Sequence, residues 1–233
     1  MRSLHQFMQN SHILQDFNEA ITSLRQEVLA MAGQTRHNVE KAVQALLQRD
    51  VELANSVIGD DDEVDDMERK VDRLGMEILV RFHPMAGDLR LVLSSMKISI
   101  NLERISDHAT SIAKRARKMA RSEELADVNM IEPIYSMADQ LLRDAITAYN
   151  EQDADLALGL HDRDKGLNRA YKKVTNALTQ RIEDGDHRAD DYLHLIFVVR
   201  SLERIGDLAV NVGEDTVFME VAKDVRHEKD REI

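Results

Sequence analysis

The chain has 233 residues, 43% hydrophobic and 32% charged, with no Cys, no Trp and a formal net charge of −12. Lack of Cys excludes disulfides, thiolate zinc sites and Cys nucleophiles. The acidic balance argues against nucleic acid as a partner, because its binders carry a basic footprint. It suits cations or a basic protein partner. With two prolines and nine glycines, the profile is helix-rich, and any core must be aliphatic. Met1 to Gln6 holds no apolar core of signal-peptide length. The most apolar window, Leu193 to Val199, is too short to span a bilayer and is broken by His194. A cytoplasmic protein without membrane insertion is expected.

Residues 1–12 read as a loose lead-in. From Ile13 to Gln48 apolar residues recur at helical spacing through Phe17, Ile21, Leu24, Val28 and Met31, with Gly33 a point for a bend. Asp50 offers the N-cap of a second helix that runs to the stop at His83-Pro84-Met85-Ala86-Gly87. Asp88 can cap a third, ending near Arg121. Glu123 to Asn129 reads as a linker. Pro133 suits the start of a fourth helix, and Asp153 the cap of a fifth, ended by Asp184-Gly185-Asp186. A sixth spans about Ala189 to Ala222, and a charged tail, 223–233, frays.

The chain is an internal duplication. Leu102-Glu103-Arg104-Ile105-Ser106-Asp107 returns 100 residues later as Leu202-Glu203-Arg204-Ile205-Gly206-Asp207. Asp50, Leu53 and Ala54 return 103 residues later as Asp153, Leu156 and Ala157. The expected fold is all-α: two tandem three-helix bundles, 13–121 and 130–222, of antiparallel helices joined by short turns.

Each copy of the motif sets a Glu and an Asp four residues apart, on one helix face with Cβ atoms about 5–6 Å apart. Such a pair repels unless a cation sits between its members. The preceding helix carries Asp61 and Asp65, matched in the second repeat by Asp164 and Asn168. Folding each hairpin about its turn brings the two pairs level. Glu103 and Asp107 then face Asp61 and Asp65, while Glu203 and Asp207 face Asp164 and Asn168. Oxygen donors converging from two helices suit hard metal ions. The plainer reading is a solvated acidic helix start favoured by the macrodipole. Against it, Leu93, Met96 and Ile100 share the side of Glu103 and Asp107, and Leu193 with Ile196 repeat this. A helix apolar on two sides is partly buried or at an interface. His108 points about 100° from Asp107, a poor chelate partner for that pair and better suited to the surface or bundle edge. No P-loop, nucleophile elbow or Glu-x-x-His pair occurs, so no catalytic constellation is found.

The Asp61-Asp62-Glu63-Val64-Asp65 run, the Pro84-Met85-Ala86-Gly87-Asp88-Leu89-Arg90 turn and the two E-R-I-x-D segments, in this order, resemble the PhoU family from about residue 13 to 220. The resemblance implies a cytoplasmic, all-helical, usually dimeric regulator. It would restrain phosphate uptake and starvation signalling by coupling the ATPase subunit of a phosphate ABC transporter to a sensor histidine kinase. It also implies metal clusters, of iron or zinc with magnesium or manganese as alternatives, on Asp61, Asp65, Glu103 and Asp107, and on Asp164, Asn168, Glu203 and Asp207. Two departures stand out: Asn168 for a carboxylate, and Ser106 for the usual Gly. A metal-dependent enzyme and a purely structural helical scaffold remain as alternatives.

Overall fold

The computed structural model describes residues 2–185 and 188–225, with side chains from Leu14 onward. Every regular element among them is helical. The chain runs α1 (Arg2–Gln48), α2 (Val51–Gly59), α3 (Asp61–Phe82), α4 (Ala86–Met119), a 3₁₀ turn (Ala126–Ile131), α5 (Glu132–Glu151), α6 (Ala154–Glu183) and α7 (Ala189–Val221). The first repeat is α1 to α4 and the second is α5 to α7.

Asp50 and Asp153 cap as expected. Each carboxylate accepts a hydrogen bond from the amide three residues on, Leu53 and Leu156, at 2.9 Å. Pro133 sits in the first turn of α5. Four boundaries differ from expectation. Helix α1 already begins at Arg2, where a loose lead-in was expected, and passes Gly33 without interruption. The second expected helix is broken at Asp60, whose carboxylate is held by Lys41 Nζ of α1 at 2.5 Å. Asp88 lies inside the first turn of α4, whose N-cap is Met85. The 3₁₀ turn begins within the expected linker, at Ala126, and runs on to Ile131. Asp186 and residues 226–233, the bulk of the charged tail, lie outside the described residues.

One aliphatic cluster runs from Leu24 on α1 to Met219 on α7, so the repeats share a core rather than owning one each. Helices α4 and α7 pack antiparallel at its centre. Lys97 of α4 pairs with Asp215 of α7 at 3.6 Å, and Phe197 of α7 takes the Arg115 guanidinium of α4 on its ring at 4.1 Å. Arg36 of α1 bonds Asp139 of α5 at 2.8 Å, and Ser95 Oγ meets the buried Tyr149 hydroxyl at 2.8 Å.

Candidate metal and ligand sites

Helix α3 buries Val64, Val71, Gly75 and Ile78. At helical spacing the neighbouring stripe is Asp61, Asp65, Glu68 and Asp72. Gly75 lets α3 and α4 approach: an added Cβ would stand 2.6 Å from Met96 Sδ of α4. Met96 is therefore half-buried, while Leu93 and Ile100 remain 38% and 45% exposed. The expected second apolar face of α4 is thus only partly covered.

The close approach sets the acid stripe against Glu103 on α4. Burial, then Asp107, Glu68, Asp65 and Asp61, push the Glu103 carboxyl up to about 7. The first repeat thus brings together its four expected acids and adds Glu68. Burial and the charges of Asp72 and Asp65 raise Glu68 too. Glu68 was legible as the next member of the α3 stripe. Thr110 Oγ1 of α4 donates to Asp61 Oδ1 at 3.1 Å, and Arg69 stands 3.7 Å from Asp65. Among the described residues, no group of three or more His, Asp or Glu side chains is arranged to hold a metal ion as placed.

A carboxyl held above its ordinary value binds its proton better in the folded than in the unfolded chain. Stability therefore falls as pH climbs from the ordinary 4.5 to about 7, and the loss is complete above that. Glu103→Gln is expected to raise Tm at about pH 8 and to change it little at about pH 4 in metal-free protein. Thermal melts at both pH values check this; an equal shift at both removes the electrostatic cause.

The second repeat is built differently. Its α6 stripe keeps Asp164 and Asn168 but continues as Tyr171 and Thr175. Asn168 Nδ2 donates to Asp164 Oδ2 at 2.7 Å. Arg204 lies 3.0 Å from Asp207 and 3.6 Å from Glu203. Asp164 is only 8% exposed, and its Oδ1 is buried with no hydrogen-bond partner among the described residues. Burial, Asp207 and Glu203 push its carboxyl up to about 6.

Beside these groups α4, α6 and α7 enclose a cavity of 340 Å³ lined by Arg104, His108, His161, Asp164, Arg204 and Asp207. His108 of the first repeat, half-buried, thus faces the acids of the second. Burial and the charges of Arg104, Arg204 and Arg200 lower its proton affinity.

The PhoU domain family model matches residues 28–116 and 131–216, one match per repeat. The chain belongs to the PhoU family. It is 38% identical over 217 residues to a phosphate-specific transport system accessory protein PhoU homolog of Pseudomonas putida, covering 93% of this chain and 85% of that one. Against the homolog of Pseudomonas aeruginosa it is 37% identical, covering 93% and 90%. The crystal structure of PhoU from Pseudomonas aeruginosa superposes with a TM-score of 0.86 at 35% identity, covering 89% of this chain and 100% of that one. The fold is shared with PhoU from Streptococcus pneumoniae, TM-score 0.84, 23% identity, 90% and 99% coverage. These relatives are named accessory or regulatory proteins, in accord with the absence of a catalytic constellation from the sequence. No helix among the described residues is long and apolar enough to cross a membrane.

Proposed function

We propose that the chain is a non-enzymatic cytoplasmic adaptor, acting as a homodimer. It restrains phosphate uptake and starvation signalling by linking the ATPase subunit of a phosphate ABC transporter to a sensor histidine kinase. The observation that carries this reading is the match, over 93% of the chain, to accessory proteins of phosphate-specific transport. In cells lacking the chain, a starvation-response reporter should switch on in phosphate-rich medium, and direct binding to the ATPase subunit and the kinase should be measurable. A reporter that stays off overturns the reading.

The acidic face supports a second part. Asp61, Asp65, Glu68, Glu103 and Asp107 form an all-oxygen donor set on two packed helices, suited to a divalent or trivalent ion. A cation would relieve the mutual repulsion that raises Glu103, with side chains turning inward about χ1. Asp164, Asn168, Glu203 and Asp207 would form the weaker set, because Arg204 is already paired with Glu203 and Asp207. Stoichiometric iron, zinc or manganese that falls in Glu103→Gln/Asp107→Asn is the expected result of elemental analysis before and after EDTA. Equal metal in both proteins would sink the assignment.

A further inference from the structure

Away from the acidic sets, α4 and α7 present a cationic flank. At helical spacing α4 carries Arg104, Arg115 and Lys118, and α7 carries Leu193, Phe197 and Arg200. Antiparallel packing lays the two stripes side by side. Arg115 lies on the Phe197 ring. The charges of Arg115 and Lys118 both reach His194, and those of Arg104 and Arg200 both reach His108. Among the described residues, Arg104, Arg115, Lys118 and Arg200 form no ion pair. Arg104, Lys118 and Arg200 are exposed, and so are Leu193 at 45% and Phe197 at 42%. The duplication supplies the comparison. At the 100-residue offset Asp215 stands for Arg115, Phe218 for Lys118 and Ile100 for Arg200. On that opposite flank Lys97 is paired with Asp215 at 3.6 Å and lies 5.3 Å from the Phe218 ring. The same helix packing is thus met there without these unpaired cations, so packing does not demand them here.

We infer that this flank docks an acidic amphipathic helix of a partner protein, with carboxylates on Arg104, Lys118 and Arg200 and an apolar side chain against Leu193 and Phe197. Charge complementarity sets the sign of the partner. Arg115 braces the Phe197 ring from behind, and a held aromatic is a good anchor. The flank is long and narrow: Arg104 to Lys118 spans about 21 Å of α4, the length of a helix of about four turns. No strand occurs among the described residues, so an extended peptide finds no sheet edge to join, and helix against helix is the mode left. The narrowness also excludes wide anionic surfaces. Asp190 and Asp191 act on one end of the flank and Asp207 on the other, and the chain as a whole carries −12. With a screening length of about 8 Å, a slender helix meets mainly the cations, whereas a bilayer meets the surrounding acids as well.

The inference stands on the flank and not on the regulatory reading. A chain that restrains phosphate uptake without binding an acidic helix fails this test and leaves that reading intact. The test is fluorescence anisotropy of the full chain with a labelled helical peptide of about four turns, carrying Glu along one face and Leu beside it. Saturable one-to-one binding that weakens as salt rises is expected. Lys118→Gln/Arg200→Gln, at exposed positions, should weaken it about tenfold while leaving the melt unchanged. Phe197→Ser should weaken it about 30-fold. The same peptide with Gln for every Glu should not bind. No saturable binding, equal binding of the Gln peptide, or equal binding by the Lys118→Gln/Arg200→Gln chain would each overturn the docking site. Phosphatidylglycerol vesicles that capture the chain through the same residues would reassign the flank to a lipid surface. Self-association lost in those variants would reassign it to a second copy. Either result overturns the inference.

Discussion

Gly206→Val is expected to destabilise the fold by about 1–3 kcal/mol, with loss of soluble protein at the upper end. A Cβ at Gly206 would collide with Leu167 Cδ2 and lie 3.4 Å from both Leu141 Cδ1 and Asp164 Oδ1. These neighbours belong to α5 and α6, so relief requires two helices to move. Helix propensity works the other way, since leaving Gly gains up to about 1 kcal/mol in an open helix; a net loss shows that packing dominates. The first repeat displays the compensated version. There Ser106 stands for Gly206, and at the 103-residue offset Val64 stands for Leu167 and Asn38 for Leu141. Val64 is shorter than Leu167, and Asn38 Nδ2 donates to Ser106 Oγ at 3.4 Å. The departure at Ser106 is therefore accommodated by its neighbours. Gly206→Ser/Leu167→Val should recover more than half of what Gly206→Ser alone loses, as coupling between touching residues requires. Denaturant melts of the single and double variants check this; equal losses would show that Leu167 is not the obstacle.

Leu202→Ala should cost about 2–5 kcal/mol. Leu202 is 0% exposed on α7, where that helix packs on α4, α5 and α6, so no single neighbour can swing into the space. Leu102→Ala, equally buried on α4, should cost the same. Because one apolar cluster spans both repeats, each variant should still unfold in one transition, with probes in either repeat giving the same midpoint. Two separable transitions, with only the mutated repeat shifted, would contradict a common core.

Much of this is legible in the sequence. Asp50 and Asp153 were readable as caps because an N-cap is a local contract between a side chain and the amide three residues on. The meeting of Glu103 with Asp61 and Asp65 followed from two helices reversing at a known turn. The break at Asp60 was not readable as a break, because Lys41 from a different helix helps hold it. Asp88 looked like a cap but lies within the first turn, since the chain leaves the His83 turn at Met85. Glu68 continues the visible stripe, but the duplication does not mark it, because Tyr171 stands at the matching place in the second repeat. The cavity could not be read at all. His108 and Arg104 reach it only because α4 of one repeat packs on α7 of the other, and no spacing within one helix encodes that.

Arg36 and Asp139 are one repeat length apart, and they touch. They are the same ancestral position meeting itself across a two-fold axis. The reciprocal pairs Lys97–Asp215 and Phe197–Arg115 occupy corresponding places on either side. In a dimer of two identical halves, an axial residue must face its own kind, and like charges there repel. Joining the halves in one polypeptide removes that constraint: each axial position can be chosen twice. The guanidinium–carboxylate clasp at Arg36 is a partnership closed to two identical halves, as is the pairing of an all-acid stripe beside Glu103 with an arginine-paired Asp207.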